Sequence, residues 1–288
     1  MHTLSRRYPQ KRAFVTGAAS GFGEALCLRL ATDGWHLVMV DKSDRLETTA
    51  GIVEAAGARV TPVSLDVTDR EAYREVVEKV SADLGGMDLV FNNAGVAATG
   101  ELGESPLDDW LWVLDINLRG VLYGCHLWAP ILKAQGSGHI TNTASMAALM
   151  PIPGMGAYCV SKAAVRVLSD VMWGELEHHG VDISVVMPEF FKTNLADTAR
   201  GDAFAARNKL ERSGRTADEV AAYVLSHMAD RKLHIVYPKS MKPVWFLKRM
   251  MPARILKSVR KEAARQKANL EKHRPPEDKA ADASGASA

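Results

Sequence analysis

Residues 11–41 read KRAFVTGAASGFGEALCLRLATDGWHLVMVD, a pattern of strand, glycine-rich turn, helix and second strand. The runs Ala13–Val15 and Leu37–Val40 are unbroken and apolar, which is typical of strands buried on both faces of a parallel sheet. Between them, apolar residues recur at helical spacing until Gly34. The stretch therefore predicts the first β-α-β unit of an α/β fold.

The same alternation continues along the chain. Further strands are predicted at Arg59–Leu65, Asp88–Asn92, His139–Thr143, Val181–Met187 and Leu233–Tyr237. Helices are predicted between them at Asp69–Leu84, Pro106–Ala134, Gly156–His179 and Thr216–Ala229. Together these elements predict a doubly wound parallel sheet of seven strands with helices on both faces.

Composition narrows the class of protein. The chain has 288 residues, 47% of them hydrophobic and 24% charged, which is enough apolar sequence for a sizeable core. Its cysteines (Cys27, Cys125 and Cys159) lack metal-ligand spacing, so we expect free thiols in a reducing compartment and no metal site. No apolar run has the length of a signal-peptide core or a spanning helix, so we expect a cytoplasmic protein.

Charge divides the chain into three parts. Residues 1–239 carry a net charge of −5, residues 240–274 carry +9, and residues 275–288 carry −2. We expect an α/β domain in the first part, a basic amphipathic helical extension in the second and a disordered tail in the third.

The glycine-rich turn lies between the first strand and the first helix. Its glycines allow a tight turn and let a pyrophosphate approach the free N–H groups of the helix N-terminus. Without that setting, a purely structural turn would be an equally good interpretation. The predicted cofactor contacts are Gly17, Ser20, Gly21, Phe22 and Gly23.

Asp41 ends the second strand, 24 residues after Gly17. A carboxylate at this place accepts hydrogen bonds from both adenosine ribose hydroxyls and repels a 2′-phosphate. Taken alone, Asp41 would be read as a solvated residue that opens a turn, and the adjacent Lys42 would tolerate a phosphate. The sequence therefore predicts NAD, with NADP as the alternative.

Ser145, Tyr158 and Lys162 form a candidate catalytic set. Tyr158 and Lys162 are four residues apart, so they share one helix face. We expect the ammonium and a positively charged nicotinamide to lower the pKa of the phenol from its ordinary value near about 10. Tyr158 would then move a proton, with Ser145 holding the substrate oxygen, while a hydride passes to or from nicotinamide. On its own, a Tyr-x3-Lys pair is more often part of a helix surface.

Over residues 10–238 the chain resembles the single-domain short-chain dehydrogenases/reductases. The shared motifs are Thr16-Gly17-x3-Gly21-x-Gly23, Asp66, Asn92-Asn93-Ala94-Gly95, Asn117, Ser145 and Tyr158-x3-Lys162. The resemblance implies a Rossmann fold, an NAD(P)-dependent oxidoreductase and an Asn-Ser-Tyr-Lys tetrad in which Asn117 holds a water that relays protons from Lys162. It also implies a homodimer or homotetramer formed through the long helices at Pro106–Ala134 and Gly156–His179.

The resemblance assigns cofactor contacts as well. It implies that Asp66 and Val67 contact the adenine and that Asn92–Gly95 lies along the cofactor and stabilises the sheet. It implies that Lys162 binds the nicotinamide ribose and that Thr193 binds the carboxamide. Taken singly, Asp66 would be read as a helix N-cap, Asn92–Gly95 as a turn and Asn117 as a buried helix residue.

One position departs from the family pattern. After the sixth strand the chain has Pro188-Glu189, where the family usually has Pro-Gly. Glutamate adds bulk and charge where glycine allows close approach of the backbone. Either Glu189 points away from the nicotinamide, which we favour, or it contacts the substrate.

The predicted substrate region is apolar. It comprises Met146–Ile152, the turn Asn93–Val96 and the segment Glu189–Arg215. These residues favour a hydrophobic alcohol or ketone, although apolar stretches of this kind also pack as core. We therefore predict hydride transfer at a carbonyl or secondary-alcohol carbon. The alternatives are a non-catalytic NAD(P)-binding regulatory protein and a nucleotide-sugar epimerase or dehydratase, which requires a larger C-terminal domain.

The basic extension has its own pattern. Apolar residues recur at helical spacing from Val244 to Val259 among basic residues, and Pro252 is predicted to start a second helix. A basic amphipathic helix that contains Trp245 can lie on an anionic membrane surface as a peripheral contact. A lid over the substrate pocket and packing in a dimer are the alternatives. Nucleic-acid binding is disfavoured because no recognition motif accompanies the charge.

Overall fold

The computed structural model describes residues 2–201 and 213–273. The middle of the predicted substrate segment, residues 202–212, lies outside this part of the chain, as does the predicted tail 275–288.

A single parallel sheet of seven strands organises the described residues, as predicted. Its strands stand in the order β3-β2-β1-β4-β5-β6-β7. They are β1 Arg12–Thr16, β2 His36–Asp41, β3 Arg59–Ser64, β4 Leu89–Asn92, β5 Gly138–Thr143, β6 Val181–Pro188 and β7 His234–Tyr237. The order reverses between β1 and β4, where parallel α/β sheets open a crevice at the carboxyl ends of their strands.

Helices cover both faces of the sheet. They are α1 His2–Arg7, α2 Gly21–Ala31, α3 Leu46–Ala55, α4 Arg70–Leu84, α5 Leu107–Leu114, α6 Gly120–Gln135, α7 Gly156–Leu176, α8 Ala217–Ala229, α9 Lys242–Met250 and α10 Pro252–His273. Successive residues of β1 face opposite sides, since Ala13 and Val15 pack towards α2 and α8 while Phe14 packs towards α4, α6 and α7. The fold thus has three layers with a hydrophobic core on each side of the sheet.

Two helices near the N-terminus were not predicted. Helix α1 lies in a polar, basic stretch, yet Leu4 and Tyr8 are buried, with exposed fractions of 1% and 3%. The Tyr8 hydroxyl donates to Asp182 Oδ2 at 3.0 Å, and Arg7 also pairs with that buried carboxylate. Helix α3 lies between β2 and β3 along the chain, and its Val53 is buried. Both helices are short and owe their positions to a few long-range contacts, which a local pattern does not reveal.

The predicted helix Pro106–Ala134 is wrong in one respect, because it is not regular throughout. A π-helical turn, Asp115–Arg119, separates α5 from α6. Such turns insert a residue into a helix and occur often at functional sites. Here the turn carries Asn117, which is fully buried. Helix α7 is also shorter than predicted, because a 3₁₀ turn, Glu177–His179, follows it.

The extension after β7 consists of α9 and α10, in line with the predicted second helix from Pro252. Trp245 packs against the core that contains α7, and its ring lies 4.9 Å from the ring of His234. The division of the chain at residue 239 stays a prediction. Within residues 2–201 and 213–273, no helix has the length and apolar character needed to cross a membrane.

Candidate active site

A cleft of about 1930 Å³ opens at the carboxyl edge of the sheet. Most of the predicted site residues line it, namely Gly17, Ser20, Gly21, Phe22, Asp41, Asp66, Val67, Asn93, Ala94, Gly95, Ser145, Tyr158, Lys162 and Thr193. Gly23 and Asn117 are predicted site residues that are not among the lining residues. The fold therefore gathers residues from seven separate segments into one continuous space.

The glycine-rich turn is held against the end of β4. Gly17 has a positive φ of 67°, and a Cβ at this position would lie 2.9 Å from Ala94 Cα. A Cβ at Gly23 would lie only 2.0 Å from the Gly17 carbonyl oxygen. Gly23 thus allows α2 to pack under the turn, whereas Gly17 and Gly21 border the cleft. Any Cβ at Gly17 or Gly23 would distort this turn.

Hydrogen bonds fix the turn relative to the residues after β4. Thr16 Oγ1 accepts from the backbone N–H of Asn93 at 2.9 Å and of Ala94 at 3.1 Å. The Asn93 side chain donates back to the Thr16 carbonyl at 3.0 Å. Asn92 has another role, because its buried Nδ2 donates to Asn142 Oδ1 at 2.8 Å and so links β4 to β5. Asn93 borders the cleft and Asn92 supports the sheet.

One end of the cleft carries two carboxylates. Asp41 accepts from the backbone N–H of Ala19 at 3.0 Å, which holds its side chain beside the glycine-rich turn. Asp66 pairs with Lys42 at 3.0 Å. Burial raises the pKa of Asp66, but hydrogen bonds from Thr68 and Lys42 outweigh it, so this pKa lies below its ordinary value. Asp66 is not the helix N-cap, because Asp69 caps α4.

Ser145, Tyr158 and Lys162 meet at the other end of the cleft. Lys162 is 3% exposed, and its Nζ donates to the Thr143 carbonyl at 2.8 Å. The same Nζ lies 5.7 Å from the centre of the Tyr158 ring. Ser145 caps the short 3₁₀ turn Met146–Ala148 by accepting from the Ala147 N–H at 3.1 Å. The three side chains thus come from the end of β5 and the first turns of α7.

The protein groups around Tyr158 do not lower its pKa. Burial raises the pKa of Tyr158 to about 12, and the hydrogen bond with Ser145 offsets this only in part. Burial also lowers the pKa of Lys162 to about 8. The prediction that Lys162 and a positively charged nicotinamide together lower this pKa concerns the protein with cofactor bound and stays a prediction; in the protein by itself, desolvation is the larger effect. With this pKa, Tyr158 is a neutral phenol at neutral pH.

Asn117 cross-links the site from below. Its Oδ1 accepts from the Val96 N–H at 2.8 Å, and its Nδ2 donates to the Val96 carbonyl at 2.9 Å and to Ser161 Oγ at 3.2 Å. A Cβ at Gly95 would lie 3.2 Å from Asn117 Oδ1 and 3.4 Å from Lys162 Nζ. Asn117 therefore joins the turn after β4 to α7. Its side chain and the Lys162 ammonium both lie close to Gly95.

Comparisons with known proteins agree with this geometry. The model of the family described as short chain dehydrogenase matches residues 11–203. The chain belongs to this short-chain dehydrogenase family. Its members are NAD(P)-dependent oxidoreductases, as the sequence predicted.

Relatives of this dehydrogenase include proteins of different lengths. It is 39% identical over 186 residues to the probable oxidoreductase EphD of Mycobacterium tuberculosis, covering 64% of this chain and 31% of EphD. The chain thus spans about a third of the length of EphD. It is 32% identical over 234 residues to the 3-oxoacyl-acyl-carrier-protein reductase FabG of Thermotoga maritima, covering 80% of this chain and 94% of FabG.

A solved structure supports the same assignment. The short-chain dehydrogenase/reductase from Burkholderia phymatum in complex with NAD superposes with a TM-score of 0.77 and is 34% identical. The alignment covers 83% of this dehydrogenase and 93% of that chain.

Glu189 marks the departure of this dehydrogenase from the usual Pro-Gly sequence. Its carboxylate Oε2 lies 3.1 Å from Arg215 Nη1, and its backbone N–H donates to the Tyr237 carbonyl at 2.8 Å. The Lys192 N–H donates to the Arg215 carbonyl at 3.0 Å. The ion pair directs the carboxylate to Arg215 and ties together the two ends of the segment after β6.

The end of the cleft around Tyr158 is largely apolar. Ala97, Ala147, Met155 and Cys159 form a small buried cluster against which Ile152, Tyr158 and Leu195 pack. The residues bordering the cleft that the sequence did not predict include Arg45, Ile116, Met241, Ser258, Val259 and Ala264. The last four belong to the C-terminal extension. Only the helical spacing of Val259 signalled that this segment has an inward face.

Proposed function

We propose that this dehydrogenase transfers a hydride between NAD(P) and the carbonyl or secondary-alcohol carbon of a hydrophobic substrate. The observation that carries the proposal is that Ser145, Tyr158 and Lys162 line the same cleft as the glycine-rich turn. A nucleotide held at the turn and a substrate held at Ser145 would then share one water-poor space. Tyr158 is the general acid in reduction and the general base in oxidation.

The cleft has the features needed to hold the cofactor. Gly17 and Gly21 present backbone without side chains at the N-terminus of α2, where a diphosphate is stabilised by free N–H groups and the helix dipole. Asp41 would bind the adenosine ribose, Asp66 and Val67 the adenine, and Thr193 the carboxamide. Bound nicotinamide would supply or accept the hydride.

The proton is handled by the chain's own side chains. In reduction, Tyr158 donates its hydroxyl proton to the substrate oxygen as the carbonyl carbon gains a hydride, and the product is the alcohol. Ser145 donates a hydrogen bond to the same oxygen, and the Lys162 ammonium stabilises the phenolate that remains. Asn117 acts as a positioning residue, because it holds Val96 and α7 in place; a water bound beside it would return a proton to Lys162.

NAD is the proposed cofactor, with NADP as the alternative. Asp41 is held at the cleft by the Ala19 N–H, so a 2′-phosphate would meet a fixed carboxylate. Lys42, the adjacent base, pairs with Asp66 at 3.0 Å. The preference is tested by measuring kcat/KM with both cofactors for the wild type and for Asp41→Asn, which is expected to gain activity with NADP.

A hydrophobic alcohol or ketone is the proposed substrate. Support comes from the apolar residues Ile152, Met155 and Leu195 near Tyr158. The relative FabG is, by its name, a reductase of a 3-oxoacyl group, which is a ketone within an acyl chain. We also propose a homo-oligomer, because α5, α6 and α7 expose several large apolar side chains.

The decisive experiment is a turnover assay with a panel of hydrophobic ketones and secondary alcohols, run with NAD(H) and NADP(H). Tyr158→Phe is expected to lose about 10²–10⁴-fold in kcat, the usual contribution of a general acid or base. Its NADH binding, followed by fluorescence, should stay near that of the wild type. Near-full activity of Tyr158→Phe would overturn its role. NADH binding without turnover of any panel member would favour the non-catalytic regulatory protein.

A further inference from the structure

The C-terminal extension forms one wall of the cleft. Met241, Ser258, Val259 and Ala264 line the same space as Tyr158. Trp245 anchors α9 in the core, and Lys248 donates to the Leu149 carbonyl in the loop after β5. The inward face of the extension is therefore accounted for by the active site and the core.

The outward face of the extension is apolar as well. Phe246 is 67% exposed and Met250 is 65% exposed, and these residues share one face of α9 because they are four residues apart. Leu247 and Leu256 are exposed by 40% and 47%. These four side chains, here called the exposed apolar group, are distinct from the inward residues Trp245 and Val259. A cluster of this kind on a protein surface marks an interaction site.

Positive charge surrounds the exposed apolar group. Between residues 239 and 261 there are eight Lys or Arg residues and no Asp or Glu. Seven of the eight are exposed, namely Lys239, Lys242, Arg249, Arg254, Lys257, Arg260 and Lys261. Among the described residues, none of these seven forms an ion pair with a carboxylate. Their charge is available to an anionic partner.

We propose that α9 and α10 bind the surface of an anionic lipid bilayer and that the cleft takes a bilayer-dissolved ketone or alcohol. Exposed apolar side chains on helices that also expose seven cations match the acyl and phosphate layers of such a surface. Nucleic acid offers the charge but no apolar layer for Phe246 and Met250. A second copy offers an apolar face but brings the same positive charges, which repel. The substrate part of the inference rests on the proposed function.

Binding is tested by co-sedimentation of the full chain with phosphatidylcholine vesicles, with and without phosphatidylglycerol. Wild type is expected to bind the anionic vesicles at least about tenfold more tightly than the neutral ones. Lys257→Gln with Arg260→Gln should weaken this binding about 25-fold, since each basic residue near an anionic surface contributes about fivefold. Phe246→Ser with Met250→Ser should weaken it about tenfold or more. Ile52→Ser removes a side chain of similar exposure on α3 and should bind like the wild type.

Activity separates the two proposals. Phe246→Ser with Met250→Ser should turn over a short, water-soluble ketone at the wild-type rate but a long-chain ketone presented in anionic vesicles at least about fivefold more slowly. If the short ketone reacts and wild type binds no vesicle, or binds neutral vesicles equally well, the bilayer proposal is overturned. If vesicles are bound and no ketone reacts, the proposed function fails instead. Self-association that is lost in Phe246→Ser with Met250→Ser, without vesicle binding, would assign this face to a second copy.

Discussion

Lys162 and Tyr158 are placed so that burial, rather than their mutual distance, sets their proton affinities. Tyr158 keeps its proton at neutral pH because its pKa is raised to about 12. Lys162 is charged below its pKa of about 8 and neutral above it. The charge needed to stabilise the phenolate is therefore present at neutral pH and is lost as the pH rises. This sign follows from desolvation, which disfavours the ammonium.

We expect kcat/KM for ketone reduction to fall as the pH rises through about 8, because the neutral amine no longer stabilises the phenolate. The profile of kcat/KM reports the free enzyme, which is the state that these pKa values describe. Lys162→Arg keeps its charge at alkaline pH, so any residual activity of this variant should lack the decline. A wild-type profile that stays flat from about pH 7 to about pH 9.5 would contradict the assignment.

His139 is a buried histidine whose protonation destabilises the folded protein. Its Nε2 lies 2.8 Å from Ser184 Oγ, and burial lowers its pKa to about 4. In the unfolded chain, the His139 imidazole takes up a proton at about pH 6.5, whereas in the folded chain it stays neutral at this pH. His139 thus has no effect on the free energy of unfolding above about pH 6.5. As the pH falls from there towards about 4, it lowers the free energy of unfolding.

From this shift we expect the free energy of unfolding to drop by about 2 kcal/mol between about pH 7 and about pH 5 on account of His139. Urea unfolding at both pH values measures the drop. His139→Asn should lose about 2 kcal/mol less than the wild type over this interval. His178→Asn, which alters an exposed histidine, should lose as much as the wild type. Equal losses in all three proteins would refute the prediction.

Glycines within helices show how contacts between elements override local preference. At Gly124, α6 packs closely against the end of β4 and against α4. A Cβ at this position would lie 2.1 Å from Asn92 Oδ1 and 2.6 Å from the Tyr73 hydroxyl oxygen. Gly51 in α3 would gain a Cβ with no atom within 4 Å. Both residues lie inside helices, but only Gly124 is required by packing.

Gly124→Ala is expected to destabilise the protein by about 1–3 kcal/mol, the usual cost of overpacking a close contact. Gly51→Ala is its matched control and should stabilise the protein by about 0.5–1 kcal/mol, because alanine favours the helix. Urea unfolding of the two variants gives the sign directly. A destabilised Gly51→Ala would contradict the open space at Gly51, and a neutral Gly124→Ala would contradict the close contact at Gly124.

An exposed apolar face of α7 predicts how subunits of the protein associate. Val160, Val167 and Val171 are each about half exposed and recur at helical spacing on one face. Exposed apolar side chains grouped on one helix face are usual at subunit interfaces. We therefore expect subunits to associate through this face.

Val171→Asp places a charge in that face and should lower the sedimentation coefficient towards that of a smaller oligomer. Ile52→Asp places the same charge on α3 and should sediment like the wild type. The free energy of dissociation should fall by at least about 2 kcal/mol in Val171→Asp, since an unpaired charge would be buried. Unchanged sedimentation of Val171→Asp would exclude α7 from the interface.

The amino-acid sequence by itself determined the sheet and the cofactor turn. Apolar strands, glycines at 17, 21 and 23 and the pair Tyr158 and Lys162 are local patterns, and their order along the chain is enough to predict a parallel fold with its site at one edge. Such patterns depend only on residues close in sequence. They cannot reveal α1, whose burial depends on Asp182, or the π turn that carries Asn117.

Only the tertiary structure decided what surrounds each of these residues. Burial raises the pKa of Tyr158 in the protein by itself, and the partner of Glu189 is Arg215, 26 residues away. In the extension, Val259 likewise lines the cleft, whereas Leu247 from the same predicted stripe is exposed together with Phe246. Desolvation, ion pairing and the choice of buried face all depend on atoms brought together from distant parts of the chain, which a linear pattern does not contain.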